Sequence, residues 1–162
     1  MLRSILIIVT IFLVSCKAAT TYYVVRHAEK ESSTMTNDVA LSQAGKQRAE
    51  ALKDVLRNEN IKFIYSTNYI RTKTTAQPLA DAINVSVQTY NPNDTSFITT
   101  IKNLGNGNVL IVGHSNTVDD LVNKLMGTNQ IARDLQDTEY GDLFVVKRKG
   151  TKYFFERKRF GN

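Results

Sequence analysis

Apolar residues recur at two different spacings along this chain, and the two alternate from residue 22 to residue 126. Short runs rich in β-branched and aromatic residues, at 22–25, 62–65, 85–90 and 109–112, predict strands. Residues 42–58, 71–82, 94–104 and 117–126 carry apolar positions three and four apart and predict helices. In the first of these, Ala49, Leu52, Val55 and Leu56 mark one face, with Lys46, Arg48, Glu50, Lys53 and Asp54 placed among them. Such alternation is the arithmetic of βαβ units, whose strands lie parallel and whose helices cover the sheet. Residues 109–112 are apolar without interruption, as a central strand covered on both faces requires. The last two runs, 143–147 and 152–155, are joined by Arg148-Lys149-Gly150-Thr151 and predict an antiparallel hairpin. The expected fold is α/β: a three-layer sandwich with a largely parallel central sheet, helices on both faces and an antiparallel C-terminal edge hairpin. Residues 31–40, rich in Ser, Thr and Asn, predict a loop directly after the first strand.

Ahead of the first strand the pattern changes. Arg3 precedes an apolar run over 5–14. That run is too short for a bilayer, which takes about 20 apolar residues, and suits a secretion signal, whose apolar stretch takes about 7–15. Leu13-Val14-Ser15-Cys16 resembles the lipobox of bacterial lipoproteins, in which the chain is cut before a cysteine that has received a diacylglycerol. The expected organisation is a lipoprotein signal peptide at 1–15, a tether at 16–21 and one domain at 22–162. The mature protein is then expected in the bacterial cell envelope, held to the membrane through lipid at Cys16 and facing the periplasm or the cell surface. Cys16 is the only cysteine, so no disulfide forms within one molecule.

Lys and Arg outnumber Asp and Glu by 21 to 15, a net charge of +6. This excess suits an anionic substrate or a membrane surface. The cations are dispersed and follow no zinc-finger or RNA-binding spacing, so nucleic acid is not an expected partner. Their densest groups, Lys147-Arg148-Lys149 and Arg157-Lys158-Arg159, flank the terminal hairpin, where edge-strand cations keep a sheet from pairing with its neighbours.

The two histidines of the chain stand in matching places. His27 ends the run Tyr22-Tyr23-Val24-Val25-Arg26, and His114 ends Val109-Leu110-Ile111-Val112-Gly113. In an open α/β sheet the residues just past the carboxyl ends of neighbouring strands converge on one crevice, so both imidazoles are expected to face a single ligand. Arg26 adjoins His27, and Arg71 follows the second strand at a helix start, itself a favourable place for an anion. Arginine offers a planar fork of donors matched to phosphate or carboxylate. Two arginines and two histidines at strand ends suit a tetrahedral dianion better than a neutral ligand.

These segments resemble the histidine phosphatase superfamily, which includes the cofactor-dependent phosphoglycerate mutases and the small SixA-like phosphatases. The resemblance is carried by Val25-Arg26-His27-Ala28-Glu29-Lys30, with alanine where many members have glycine, and by Leu41-Ser42-Gln43-Ala44-Gly45. It continues through Tyr65-Ser66-Thr67 with Arg71-Thr72, Thr75-Ala76-Gln77-Pro78-Leu79 and Val112-Gly113-His114-Ser115-Asn116, spanning residues 22–118. It implies that His27 is the nucleophile that becomes phosphorylated and that Arg26, Arg71 and His114 hold the phosphoryl group; a cationic His114 could donate to one of its oxygens, and neither metal nor cofactor is expected. The expected activity is hydrolysis of a small phosphomonoester through a phosphohistidine at His27. The alternatives are a lipid-anchored module that binds a phosphorylated ligand without turnover, a phosphomutase, and a phosphatase of phosphohistidine proteins. A mutase carries additional segments to hold its substrate while it reorients, and an export signal conflicts with a cytosolic protein substrate. A phosphorylated sugar, lipid or nucleotide fits better.

The leaving alkoxide needs a proton, for which Glu29, two residues past the nucleophile, and Asp94, before the last parallel strand, are the candidate donors. Salt bridging for Glu29 and helix capping for Asp94 are the competing roles. Glu139 and Asp119 are more remote candidates. Gly113-His114-Ser115-Asn116-Thr117 departs from the serine-hydrolase elbow at Thr117, and no histidine follows it. No zinc-hydrolase spacing is present.

Overall fold

The computed structural model describes residues 19–32 and 38–161, so the expected signal peptide and Cys16 lie outside the described residues. Six strands, β1 (Thr20–Arg26), β2 (Ile61–Ser66), β3 (Val87–Thr89), β4 (Asn108–Gly113), β5 (Asp142–Lys149) and β6 (Lys152–Arg159), make one sheet in the order β3-β2-β4-β1-β5-β6. Between them run α1 (Gln43–Leu56), α2 (Ile70–Ile83), α3 (Phe97–Lys102) and α4 (Val118–Met126). The pairs β3–β2, β2–β4 and β4–β1 are parallel; β1–β5 and β5–β6 are antiparallel. The α/β sandwich and its terminal hairpin are as the hydrophobic pattern predicts.

Every residue of β1 is buried, and its alternation divides the core in two. Tyr22 and Val24 join Val109, Ile111, Phe144 and Val146 beneath α3 and α4. Tyr23 and Val25 join Leu110, Val112, Leu143 and Val145 beneath α1 and α2. A sheet covered on both faces forces such uniformly apolar central strands.

The crossovers explain where a site can form. The connections leaving β1 and β2 pass over the α1–α2 face, and those leaving β3 and β4 pass over the other. Adjacent β1 and β4 therefore send their chains to opposite sides, and a crevice opens between their carboxyl ends.

Several boundaries differ from expectation for local reasons. β1 begins at Thr20 because Thr20 and Thr21 pair with Arg148 and Lys147, so the end of the expected tether belongs to the sheet. The helix expected over 94–104 is confined to Phe97–Lys102, because the Asp94 carboxylate accepts from Ser96 N at 2.8 Å and closes a turn ahead of it. β3 is limited to Val87–Thr89, and the hairpin is longer than expected, with its turn at Gly150-Thr151. The loop after β1 is closed at its base by a Lys30–Leu41 bridge. Gly45 in α1 lies so close to that base that a Cβ there would overlap the Glu29 carbonyl oxygen.

Candidate active site

His27 leaves β1 and His114 leaves β4, and the parallel register sets Arg26 opposite Gly113. The two imidazoles meet edge to face with centroids 5.4 Å apart. Together with Arg26, Arg71, Lys30 and Tyr69 they line a pocket of about 400 Å3, completed by Pro92, Asn93, Asp137 and the Ser115-Asn116-Thr117 turn. The four residues nominated from strand ends are thus brought together. Among the described residues no group of three His, Cys, Asp or Glu side chains is placed to hold a metal ion.

Backbone geometry decides which nitrogen of His27 is free. Its Nδ1 lies 2.7 Å from the Ala28 carbonyl oxygen, an acceptor only, so Nδ1 carries the proton and Nε2 keeps its lone pair. Ala28 is itself held, since its N–H donates to Thr75 Oγ1 at 2.9 Å while that hydroxyl donates to the Arg71 carbonyl. Burial, followed by the charge of Arg26 and the proximity of His114 and Arg71, lowers the His27 pKa to about 3 despite the Ala28 hydrogen bond. His27 is therefore neutral near neutral pH.

His114 is likewise neutral near neutral pH, not a cationic donor. Burial first, then the charges of Arg71 and Arg26, lower its pKa to about 4. Arg71 Nη2, which can only donate, stands 3.4 Å from His114 Nδ1, so the proton sits on Nε2 and is directed to Thr67 Oγ1 at 2.9 Å. The Thr67 hydroxyl passes the bond to Thr72 Oγ1 at 3.0 Å, and Thr72 ends on the Thr67 and Tyr69 carbonyls. Thr67, Thr72 and Thr75 are wholly buried.

Each arginine is held flat by a tyrosine. The Arg26 guanidinium lies 4.2 Å from the Tyr140 ring centroid and donates through Nη1 to the Gln136 and Glu139 carbonyls at 2.7 and 3.2 Å. Arg71 lies 4.5 Å from the Tyr69 centroid and pairs with Asp38 at 3.7 Å. Asp38 also accepts from Ile70 N at 2.7 Å, tying the loop after β1 to the start of α2. The Nε atoms of both Arg26 and Arg71 are buried without a partner among the described residues.

Neither nominated proton donor lines this pocket. The Glu29 carboxylate turns to Arg48, accepting from Nε and Nη2 at 2.6–2.9 Å. Burial pulls its pKa upward, but the hydrogen bonds and charge of Arg48 outweigh that, and the net shift is downward. Asp94 is exposed and held below the usual carboxylate value by its hydrogen bonds to Ser96. It does line a second cleft of about 620 Å3, which shares Pro92, Asn93, Asn116 and Thr117 with the pocket. Glu139 is bound by Arg133, and Asp119 lies on the core side of α4. The carboxylate at the pocket itself is Asp137, 3.6 Å from Arg26.

The threonine relay, the two tyrosines, Asp38 and Asp137 carry no role in the sequence reading. For Thr72 and Thr75 a signal exists, because with Ala76 and Leu79 they occupy the helical face that packs inward. Asp137 and Tyr140 lie in an irregular segment with no periodicity to place them.

Residues 22–91 match the profile of the histidine phosphatase superfamily, branch 1. That match covers 70 of the 162 residues and takes in Arg26, His27 and Arg71 but not His114. Among solved structures it is similar to a protein of Nakamurella multipartitia assigned as the phosphohistidine phosphatase SixA, with TM-score 0.65 and 18% identity over 91% of this chain and 98% of that one. It is similar also to a phosphoserine phosphatase of Entamoeba histolytica in complex with 3-phosphoglyceric acid, at 0.66 and 15% over 88% and 97% of the two chains. A phosphoglycerate mutase of Bacillus anthracis gives 0.62 and 13% over 88% and 94%. At these identities the likeness speaks for the fold. No curated protein matches.

Proposed function

We propose that the chain hydrolyses small phosphomonoesters through a phosphohistidine on Nε2 of His27, and that it works at a membrane to which Cys16 is lipid-linked. The observation that carries the chemistry is the neutral, Nδ1-protonated His27 facing two arginines. Its lone pair attacks phosphorus, the P–O bond to the leaving alkoxide breaks, and water later attacks the phosphohistidine to release inorganic phosphate. Phosphoryl transfer passes through a loose transition state with charge on the equatorial oxygens, so positioned cations supply most of the catalysis. Arg26 and Arg71, which line the pocket, supply that charge, and the guanidinium fork matches the oxygens of a dianion. Neutral His114 acts by holding Arg71 at Nδ1 rather than as an acid.

The leaving group extends into the cleft beside the pocket, between Pro92 and Asn93 on one side and Asn116 and Thr117 on the other. Asp94 is the nominated carboxyl that borders this space. Being held low, it donates a proton only at acidic pH, and turnover is expected to be fastest on esters with good leaving groups.

Rapid quench of the wild-type protein and His27→Ala with phosphomonoesters, in chelator, tests this reading. An acid-labile, base-stable phosphoenzyme and turnover, both lost in the variant, support it. Phosphate binding without labelling on any ester would instead support the binding module. Asp94→Asn should slow esters with poor leaving groups more than those with good ones.

A further inference from the structure

The pocket lies at the carboxyl ends of β1 and β4, and the opposite end of the sheet carries an unexplained concentration of charge. There β5 and β6 meet at Gly150-Thr151, with Lys149 paired to Lys152 and Lys147 to Phe154. The alternation that turns Leu143 and Val145 toward the α1–α2 side turns Lys147 and Lys149 the same way, and their cross-strand partners Lys152 and Phe154 share that face. All four are exposed, Phe154 at 52%. None of the three lysines makes a salt bridge among the described residues, whereas Lys158, further along the same face, pairs with Glu156.

Edge protection does not account for this face. β6 is the edge, but Lys147 and Lys149 stand on β5, which is paired on one side to β6 and on the other to β1. An exposed phenylalanine among unpaired lysines is the composition of a surface that sits at a lipid headgroup layer, the ring entering the interface and the ammonium groups meeting phosphate.

The direction of the chain agrees. Thr20 pairs with Arg148 and Thr21 with Lys147, so the chain enters the sheet at the hairpin tip. Cys16 precedes Thr20 by four residues, at most about 14 Å of extended backbone. A membrane fastened to Cys16 must lie at this end of the molecule. From Thr20 to Arg26 β1 runs about 20 Å toward the pocket.

We propose that the face made by Lys147, Lys149, Lys152 and Phe154 rests on an anionic lipid surface, so that the pocket opens away from the membrane toward soluble substrate. The direction of approach rests on the proposed anchor at Cys16; the affinity for anionic lipid does not. A diacylglycerol at Cys16 brings two acyl chains and so anchors by itself; the face then sets how the domain sits on the membrane.

Co-sedimentation of the full chain carrying Cys16→Ser, which receives no lipid, with vesicles of phosphatidylcholine and of phosphatidylcholine mixed with phosphatidylglycerol tests the proposal. The excess binding to the mixed vesicles should fall about a hundredfold when Lys147, Lys149 and Lys152 are all changed to Gln, roughly fivefold per charge near the surface. It should fall also with added salt, and Phe154→Ser should weaken binding to both vesicles. Lys46→Gln with Lys73→Gln, on α1 and α2 away from the hairpin tip, should leave it nearly unchanged. Equal binding to both vesicle types, no effect of the triple variant, or an equal loss in the Lys46 and Lys73 pair overturns the proposal. Circular dichroism and turnover establish that the variants remain folded. Failure here is separable from failure of the anchor, read by the mass of the mature chain, and from failure of the phosphatase reading, read by rapid quench.

Discussion

His27 and His114 are alike in sequence context yet are held by different devices. His27 is fixed by a main-chain carbonyl, which Thr75 steadies from α2. His114 is fixed by Thr67, whose own hydroxyl is committed to Thr72. Thr67→Val keeps the shape and removes the acceptor, so His114 loses its preferred tautomer and Arg71 its neighbour. We expect kcat to fall about tenfold, the equivalent of one hydrogen bond of roughly 1–1.5 kcal/mol, with KM little changed. Thr67→Ser should recover most of the loss, which a merely structural methyl would not explain. The four pocket residues were legible because strand ends converge in this fold class, a rule that needs only the order of elements. The relay was not, because Thr67 and His114 are 47 residues apart and their bond arises only when β2 and β4 pair. The charge state of His114 is not legible in the sequence for the same reason: burial is a property of the assembled pocket, and here it outweighs the attraction of Asp38.

Among the elements, α1 shows how a helix positions the nucleophile without touching it. Ser42 caps it by accepting from Gly45 N, and Ser42 N donates to the Glu29 carbonyl, so the helix start is stitched to the strand end carrying His27. The close approach at Gly45 permits this. Gly45→Ala should push the segment around Glu29 aside, costing about 1–3 kcal/mol as overpacking does and lowering kcat in parallel, readable by denaturant midpoint and by turnover. The terminal hairpin depends on a single buried carboxylate: Asp142 accepts from Arg157 at 2.9 and 2.8 Å and from Arg159 at 3.3 Å. Asp142→Ala should cost about 1.5 kcal/mol, measured by the same midpoint, because its bonds are charge-assisted while the two arginines left behind are largely exposed and can be rehydrated. Element type was readable throughout from spacing, since periods of 2 and 3.6 are local. Ends were readable only where local chemistry sets them. Spacing places Asp94 at a helix start, but its side chain reaches Ser96 and builds a turn instead, and β1 is extended by pairing with a strand more than a hundred residues away.

At the scale of the whole molecule, burying two neutral histidines beside two arginines trades stability for reactivity, and the trade has a pH signature. Each imidazole takes its proton near 6.5 when the chain is unfolded, but only near 3 for His27 and 4 for His114 in the fold. Between those values the unfolded chain binds more protons, so stability rises with pH through the window and is lost as pH falls from about 6.5 toward 4. The carboxylates held low, Glu29, Glu139 and Asp94, also lose stability in acid, but only as pH falls through and below their ordinary values of 4.5 for the glutamates and 3.8 for Asp94. Asp119, raised by burial, works in the opposite direction. The interval between 4.5 and 6.5 therefore belongs mainly to the histidines. Thermal midpoints taken across it should decline toward acid in the wild-type protein and flatten in a His27→Gln, His114→Gln variant. Over the same interval kcat/KM should show no loss attributable to His27, which stays neutral, so the acid limit of activity is expected to follow unfolding rather than protonation of the nucleophile. A decline in kcat/KM near pH 6 with the fold intact would mean that His27 titrates as an ordinary exposed imidazole, and the burial that defines this pocket would not govern its chemistry.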